Sequence, residues 1–464
     1  MVAGCTSDAG KSFLATALCR HYANRGLSVA PFKALNMSNN AAVTASCGEM
    51  ARAQHLQALA ARVEPDVRMN PVLLKPSADT FSHVVVMGHY HDEATKTPWL
   101  ERREILWPEV TRALSELRAA HDLVVIEGAG SPAEVNLRKS DIVNMSIALE
   151  CEADVYLASD IDRGGSFAHL LGTWAALDEA DRARIKGFVL NRFRGDPKLL
   201  GEAPAWLEER TGVPVVALVP WTRHRLPEED TLHHRARPVN GDVNIALVAY
   251  RWASNLDEFD PLVHEEGVTV VPVREREPLD RYDAVVLPGS KNAKGSLASL
   301  AETGLGAEIV RAAERGVPIL GICGGMQVLG KSLRDPHGLE EGDAEGLGLL
   351  DVETTLELDK VTEYVTRTCK GVGEVRGYEI HHGVTVAGPD ATPCMSDDTG
   401  WEQGNLTGVY VHGLAENTNW RQHFLESLGW RGTATDWSAK LDAEIEAVAA
   451  LVESSGWAAA LDAR

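Results

Sequence analysis

The sequence predicts an α/β protein with two doubly wound, mostly parallel sheets, and three observations carry that prediction. Apolar runs in the first half end in polar residues and alternate with helical segments, as parallel strands joined by crossover helices do. A glycine-bounded loop, Gly4–Ser12, stands almost at the first residue with an apolar helical pattern behind it. The pattern then breaks over Ala236–Asp242, and a new series of strands begins at Val243. The expected organisation is a phosphate-loop domain over 1–235, a linker over 236–242, a second α/β domain over 243–425 and a helical extension over 426–464.

Composition sets the outer limits. A chain of 464 residues can form two or three domains, each with its own core. A net charge of −22, from 45 basic and 67 acidic residues, argues against nucleic acid or an anionic membrane as partner. A polyanionic substrate would have to be met by local Lys and Arg. Seven cysteines at irregular spacing form neither a disulfide framework nor a zinc site, and fit a reducing compartment in which one thiol is chemically special. No apolar run is long enough to span a bilayer, and none reads as a signal peptide. The expectation is a cytoplasmic protein.

In chain order, the loop comes first. Backbone N–H groups and the following helix N-terminus would cradle phosphates between Gly4 and Gly10, with Asp8 in the loop. Lys11 would reach the terminal phosphates and the Ser12 hydroxyl would hold Mg²⁺. Five residues separate Gly4 from Gly10, one more than the usual motif. Only Met1–Ala3 precede the loop, whereas such a strand usually runs to about five residues. Further apolar residues upstream are expected in the native protein. Phe13, Leu14, Ala17, Leu18 and Tyr22 recur at helical spacing, and Gly26 supplies a stop.

Strands follow at Leu27–Lys33, Leu123–Ile126, Val155–Ala158, Phe188–Leu190 and Val213–Val219. Ligands of such sheets bind at the carboxyl ends of the strands, which here carry Glu127, Asp160, Asn191 and Pro220. Glu127 is therefore a candidate carboxylate on or beside Mg²⁺. Amides crowd the segment Asn36–Pro76, in Asn36-Met37-Ser38-Asn39-Asn40, Gly48–Gln54 and Met69–Pro76. Beside a phosphate site they point to hydrogen bonding with a large polar ligand, although any one alone would read as a solvated loop residue.

In the second half, strands at Val243–Tyr250, Val268–Val273 and Tyr282–Leu287 lead to Pro288-Gly289-Ser290-Lys291. Next comes Val317–Gln327, with Gly321-Ile322-Cys323-Gly324-Gly325-Met326-Gln327 at its core. A cysteine on a strand-to-helix turn among glycines follows the logic of a nucleophile elbow. A nucleophilic cysteine needs a basic or cationic partner. His412, ending the apolar stretch Gly408–Val411, is the candidate, ahead of His381 and His382. The N–H groups of Gly289 and Gly324 are the expected oxyanion donors. Leu441, Ile445, Val448 and Val452 form an amphipathic helix expected to dock on the second domain.

These motifs together resemble the cobyric acid synthase family over nearly the whole chain. The resemblance rests on Gly4–Ser12, Asn36–Thr44, Gly48–Gln54, Met69–Pro76, Glu127–Glu134, Asp160–Gly165 and Asn191–Asp196. In the second half it adds Ser254-Asn255, Asp257, Asp260-Pro261-Leu262, the Cys323 elbow and the His412 segment. The longer phosphate loop also resembles dethiobiotin synthetase, a relative that activates carboxylates with ATP. The resemblance implies an ATP- and Mg²⁺-dependent amide synthetase domain followed by a glutamine amidotransferase domain. It implies amidation of the b, d, e and g carboxylates of adenosylcobyrinic acid a,c-diamide, through acyl phosphates and ammonia from a Cys323 thioester of L-glutamine. It also implies that Lys33 neutralises phosphate charge, that Glu49 joins Ser12 and Glu127 at the metal, and that Asn191 contacts adenine.

Departures are visible. Cys5 replaces the Thr or Ser common after the first loop glycine, and Trp252 stands where the family tends to have proline. Leu414 stands two residues after His412, where other elbow-type amidotransferases carry glutamate, so a Cys–His dyad is expected. The nearest alternative is a cobyrinate or related tetrapyrrole a,c-diamide synthase, against which Met69–Pro76 and the Asn-rich segment argue. A partitioning-type switch ATPase would share the loop but need neither Cys323 nor His412.

Overall fold

The computed structural model describes residues 1–78, 81–227 and 241–463. Up to residue 240, the expected 236–242 linker lies outside them. The chain separates into two compact units. One comprises Met1–Ser38, Gly48–Leu226 and Leu441–Arg464; the other comprises Asn39–Cys47 and Pro227–Lys440.

In the first unit, Val2–Gly4 runs parallel to Val155–Asp160, followed by Ile185–Phe193 and Val215–Pro220. On its other side Val2 bridges Glu127, at the end of Leu123–Ile126, and that strand pairs in parallel with Val29–Phe32. The first strand is therefore short, central and fully buried at Val2 and Ala3. Burial on both faces explains why these strands read as continuous apolar runs. A smaller mixed sheet, unforeseen in the sequence, joins Leu35–Met37, Val72–Ala78, Phe81–Val86 and His89–Tyr90. The helix behind the loop spans Lys11–Asn24.

The C-terminal helix corrects the sequence expectation. From Leu441 the chain folds with the first unit, not the second. Ile445, Val448, Val452 and Trp457 share a core with Leu14, Leu18, Tyr156 and Ala217. Arg20, 1% exposed, donates to Asp442 at 2.6 Å and to Glu446 at 3.1 Å, as well as to the Leu59 and Ala60 carbonyls. An amphipathic face states that a partner exists without naming it.

The second unit is a seven-stranded sheet. Val268–Val273, Val243–Val248, Ala284–Leu287, Ile319–Ile322 and Leu406–Val409 lie side by side in parallel, and Gly400–Gln403 and Thr392–Pro393 close one edge antiparallel. A long hairpin, Val352–Cys369 with Gly373–Ala387, stands beside it. Among the described residues no helix is long and apolar enough to cross a membrane.

Candidate functional site

Two constellations form at strand ends, one in each unit. In the first, the chain leaves Val2–Gly4 and turns through Asp8 (φ 57°) and Gly10 (φ 88°) into the helix at Lys11. A Cβ on Gly10 would lie 2.1 Å from Asn191 Nδ2, so this position needs glycine for space as well as for backbone angle. Gly4 is tightly surrounded but less severely so, with Thr6 O and the Ala9 and Lys11 side chains at 3.0–3.1 Å from a built Cβ. The Lys11 ammonium curls over the loop, donating to Thr6 O at 3.1 Å and Gly130 O at 3.2 Å. Asp8 faces Arg163 at 3.3 Å. Cys5 is buried, and burial pushes its thiol up to about 11, which leaves it unreactive.

Glu127 is the hub of this site. It is fully buried and accepts from the Ser12 hydroxyl at 2.8 Å, Lys33 Nζ at 2.9 Å, Gln54 Nε2 at 3.2 Å and Gln57 Nε2. Burial opposes its ionisation, but the Lys33 ammonium and the donors from Gln57 and Ser12 outweigh it and hold the carboxyl below its ordinary value. The crowded amides mostly serve this hub. Asn36 donates to Gln54 at 3.0 Å, and Asn70 donates to the Lys33 carbonyl at 3.1 Å. Asn40 goes elsewhere, accepting from Asn255 N in the second unit at 2.7 Å. Glu49 forms a buried ion pair with Lys75. Asn191 braces the loop from below, donating to Ala9 O at 3.0 Å and accepting from Arg192 N at 2.9 Å.

In the second unit, Cys323 follows the buried strand Ile319–Ile322 and begins the helix Gly324–Leu329 at φ 50°, ψ −109°. Only a tight elbow holds a non-glycine residue at such angles. A Cβ on Gly325 would lie 2.1 Å from Leu287 O, and one on Gly324 would lie 2.5 Å from Ser290 Cβ. Gly289 leaves room for the His412 imidazole, whose Cε1 would lie only 2.8 Å from a Cβ built there. The Cys323 side chain acts electrostatically on the His412 imidazole, and Tyr378 stacks on that ring at 5.1 Å between centroids. His381 instead stacks on Tyr410, and His382 bonds the Glu357 carbonyl.

The expected Cys–His dyad is incomplete. Glu258 Oε1 lies 3.0 Å from His412 Nδ1, and its Oε2 accepts from Gly413 N at 2.9 Å. Glu258 is 1% exposed and His412 2%. Burial pulls the imidazole's pKa down, but the Glu258 carboxylate first and the neighbouring Cys323 second overcome it and raise the value to about 10. Glu258 stands 154 residues from its histidine, so no local spacing could reveal it. The available signal was its place: an acid-rich turn, Asn255–Asp260, shortly after the first strand of the second half.

Residues 1–232 match the CobQ/CobB/MinD/ParA nucleotide binding domain, and residues 244–420 match the CobB/CobQ-like glutamine amidotransferase domain. The chain is 51% identical to the cobyric acid synthase of Deinococcus radiodurans, over 98% of each chain. It is 49% identical to that of a Polaromonas species, over 90% of each. A crystal structure of a glutamine amidotransferase aligns over 40% of this chain and 99% of its own, at 19% identity and a TM-score of 0.34.

Proposed function

The chain belongs to the cobyric acid synthase family, glutamine amidotransferase ligases of cobalamin biosynthesis, and on that premise we propose how its two units divide the amidation. The carrying observation is the buried Cys323–His412–Glu258 array on a chain that also bears a phosphate loop.

In the second unit the Cys323 sulphur attacks the carboxamide carbon of L-glutamine. The Gly289 and Gly324 N–H groups receive the developing oxyanion. His412, protonated at neutral pH, gives its proton to the departing ammonia, and Glu258 holds the imidazole in register. Water then cleaves the thioester to glutamate and restores the thiol.

In the first unit the γ-phosphoryl of ATP passes to a carboxylate of adenosylcobyrinic acid a,c-diamide, giving an acyl phosphate and ADP. A carboxylate is a poor acyl donor because oxide or hydroxide leaves badly, whereas phosphate leaves readily. Ammonia attacks the acyl carbon, phosphate departs, and the amide remains. The b, d, e and g carboxylates each take one ATP and one glutamine. Lys11 and Lys33 neutralise phosphate charge, and Asn191 acts through the loop it supports, beside the adenine.

The donor set fits Mg²⁺. Ser12 Oγ and Glu127 Oε1 lie 2.8 Å apart and are hard oxygen ligands. Among the described residues no group of three or more His, Cys, Asp or Glu could hold a metal alone, so an ion held by Ser12 and Glu127 would need phosphate oxygens and water as further ligands. Bound there, the ion would neutralise charge on the transferring phosphoryl group. Glu49 joining it would cost its pairing with buried Lys75.

The test is incubation with cobyrinic acid a,c-diamide, ATP, Mg²⁺ and glutamine, following product mass through successive replacements of hydroxyl by amino. Conversion of cobyrinic acid itself, with the diamide left untouched, would assign the chain to a,c-diamidation instead. Cys323→Ala should lose glutamine-driven amidation and keep the ammonia-driven reaction; loss of both would make the cysteine structural. Lys11→Ala should lose both amidations while still releasing glutamate.

A further inference from the structure

We propose that Asn40 and Asn255 are positioning residues for glutamine hydrolysis, through which residues 39–47 clamp the turn that carries Glu258. The proposal rests on the assignment of Cys323, His412 and Glu258 to the glutaminase. Residues 39–47 interrupt the first unit: the strand Leu35–Met37 precedes them and Glu49 follows them, yet they fold with the second unit. Their bonds to the Glu258 turn are reciprocal. Ala41 N donates to Asn255 Oδ1 at 2.9 Å, and Asn255 N donates to Asn40 Oδ1 at 2.7 Å.

Asn255 is 4% exposed and sits in the left-handed region at φ 55°, ψ 38°. A non-glycine residue there needs fixed partners, and Asn tolerates the region better than most. Its carbonyl accepts from Glu258 N at 3.1 Å, so clamp and carboxylate belong to one turn. Glu258 then holds His412 with one oxygen and Gly413 N with the other. The strand Ala41–Val43, itself buried, packs on the hairpin strand Gly373–Ala387. That strand supplies Tyr378, stacked on His412, and Ile380 O, 3.5 Å from the Cys323 sulphur. Residues 39–47 therefore meet both the turn that carries Glu258 and the strand that carries Tyr378, and they are continuous with the stretch that carries Lys33 and Asn36.

A segment that merely fastened the fold would affect stability and both activities together. A positioning segment would affect turnover of glutamine alone. In the full-length enzyme, Asn40→Ala should lower kcat for glutamate release about tenfold, with KM for glutamine held within about twofold and ammonia-driven amidation unchanged. Asn40→Asp, which keeps the acceptor oxygen, should restore kcat. Asn255→Gly, which keeps the backbone freedom but removes the side-chain acceptor, should reproduce the loss, whereas Asn255→Asp should not. Unchanged glutamate release in Asn40→Ala, an equal fall in the ammonia-driven reaction, or failure of Asn40→Asp to restore turnover would each overturn the proposal. Cys323→Ala run alongside separates the two questions: glutamate release surviving in that variant would discard the glutaminase assignment, whatever Asn40 does.

Discussion

Glu258 shows how far single residues were legible. Cys323 and His412 could be found because each ends an apolar run beside glycines, and that local context marks a strand-end turn. Local spacing would place the carboxylate two residues after the histidine, where Leu414 stands. Folding supplies it from another loop. Replacing Glu258 by Gln preserves shape and removes charge, so the His412 pKa should fall from about 10 toward its ordinary 6.5. Glutamate release near neutrality should drop by about a hundredfold, and the alkaline limb of its pH profile should move to lower pH. An unmoved limb would mean that Glu258 does not charge the imidazole. The linked stability effect has a definite sign. A histidine with a raised folded pKa stabilises fully below its ordinary value of 6.5, and the contribution is lost as pH rises through about 10. Gly10 is the sharpest case in the phosphate loop. Gly10→Ala combines φ 88° with a Cβ 2.1 Å from Asn191 Nδ2, and calorimetric titration should find ATP binding abolished. Retained affinity would mean that the loop can shift away from Asn191.

At the scale of elements, the parallel strands were readable because burial on both faces leaves a continuous apolar run ending at a polar site residue. The helix at Lys11–Asn24 was readable from its period. Partner choice was not. The face formed by Ile445, Val448 and Val452 would suit any apolar surface, and it meets the phosphate-loop helix in the first unit. The pairing is strengthened by Arg20, whose buried guanidinium bonds both to carbonyls and to Asp442 and Glu446. Trp457 is fully buried in the same core, against Tyr156 at 5.6 Å. Trp457→Ala should destabilise the first unit by about 3–5 kcal/mol, read as a shift of one transition in chemical denaturation. An equal shift of both transitions, or none, would contradict the packing described. The long hairpin Val352–Cys369 and Gly373–Ala387 escaped the sequence because its strands mix charged, apolar and polar residues without a continuous run.

For the whole molecule, the order of the two domains was legible, since each begins its own strand series. Their true composition was not, because segments 39–47 and 441–464 each fold with the unit that their neighbours in sequence do not occupy. Contiguity is the natural assumption when only the order of residues is known, and here it fails twice. Residues 1–226 expressed alone should therefore give a poorly folded product. Joining residues 441–463 to that fragment by a flexible linker should restore cooperative unfolding and ATP binding, measured by thermal melt with and without nucleotide. No improvement on joining them would show that the C-terminal helix is dispensable to the first unit.

The Leu218 amide donates to Ser455 O at 3.1 Å, and Trp457 fills the core beneath. A nascent chain on the ribosome thus makes its nucleotide-binding half first and completes it last. Through synthesis of the whole second unit, the surface awaiting Ile445, Val448, Val452 and Trp457 stays uncovered. Prematurely terminated products would keep that apolar surface open, within reach of chaperones and proteases.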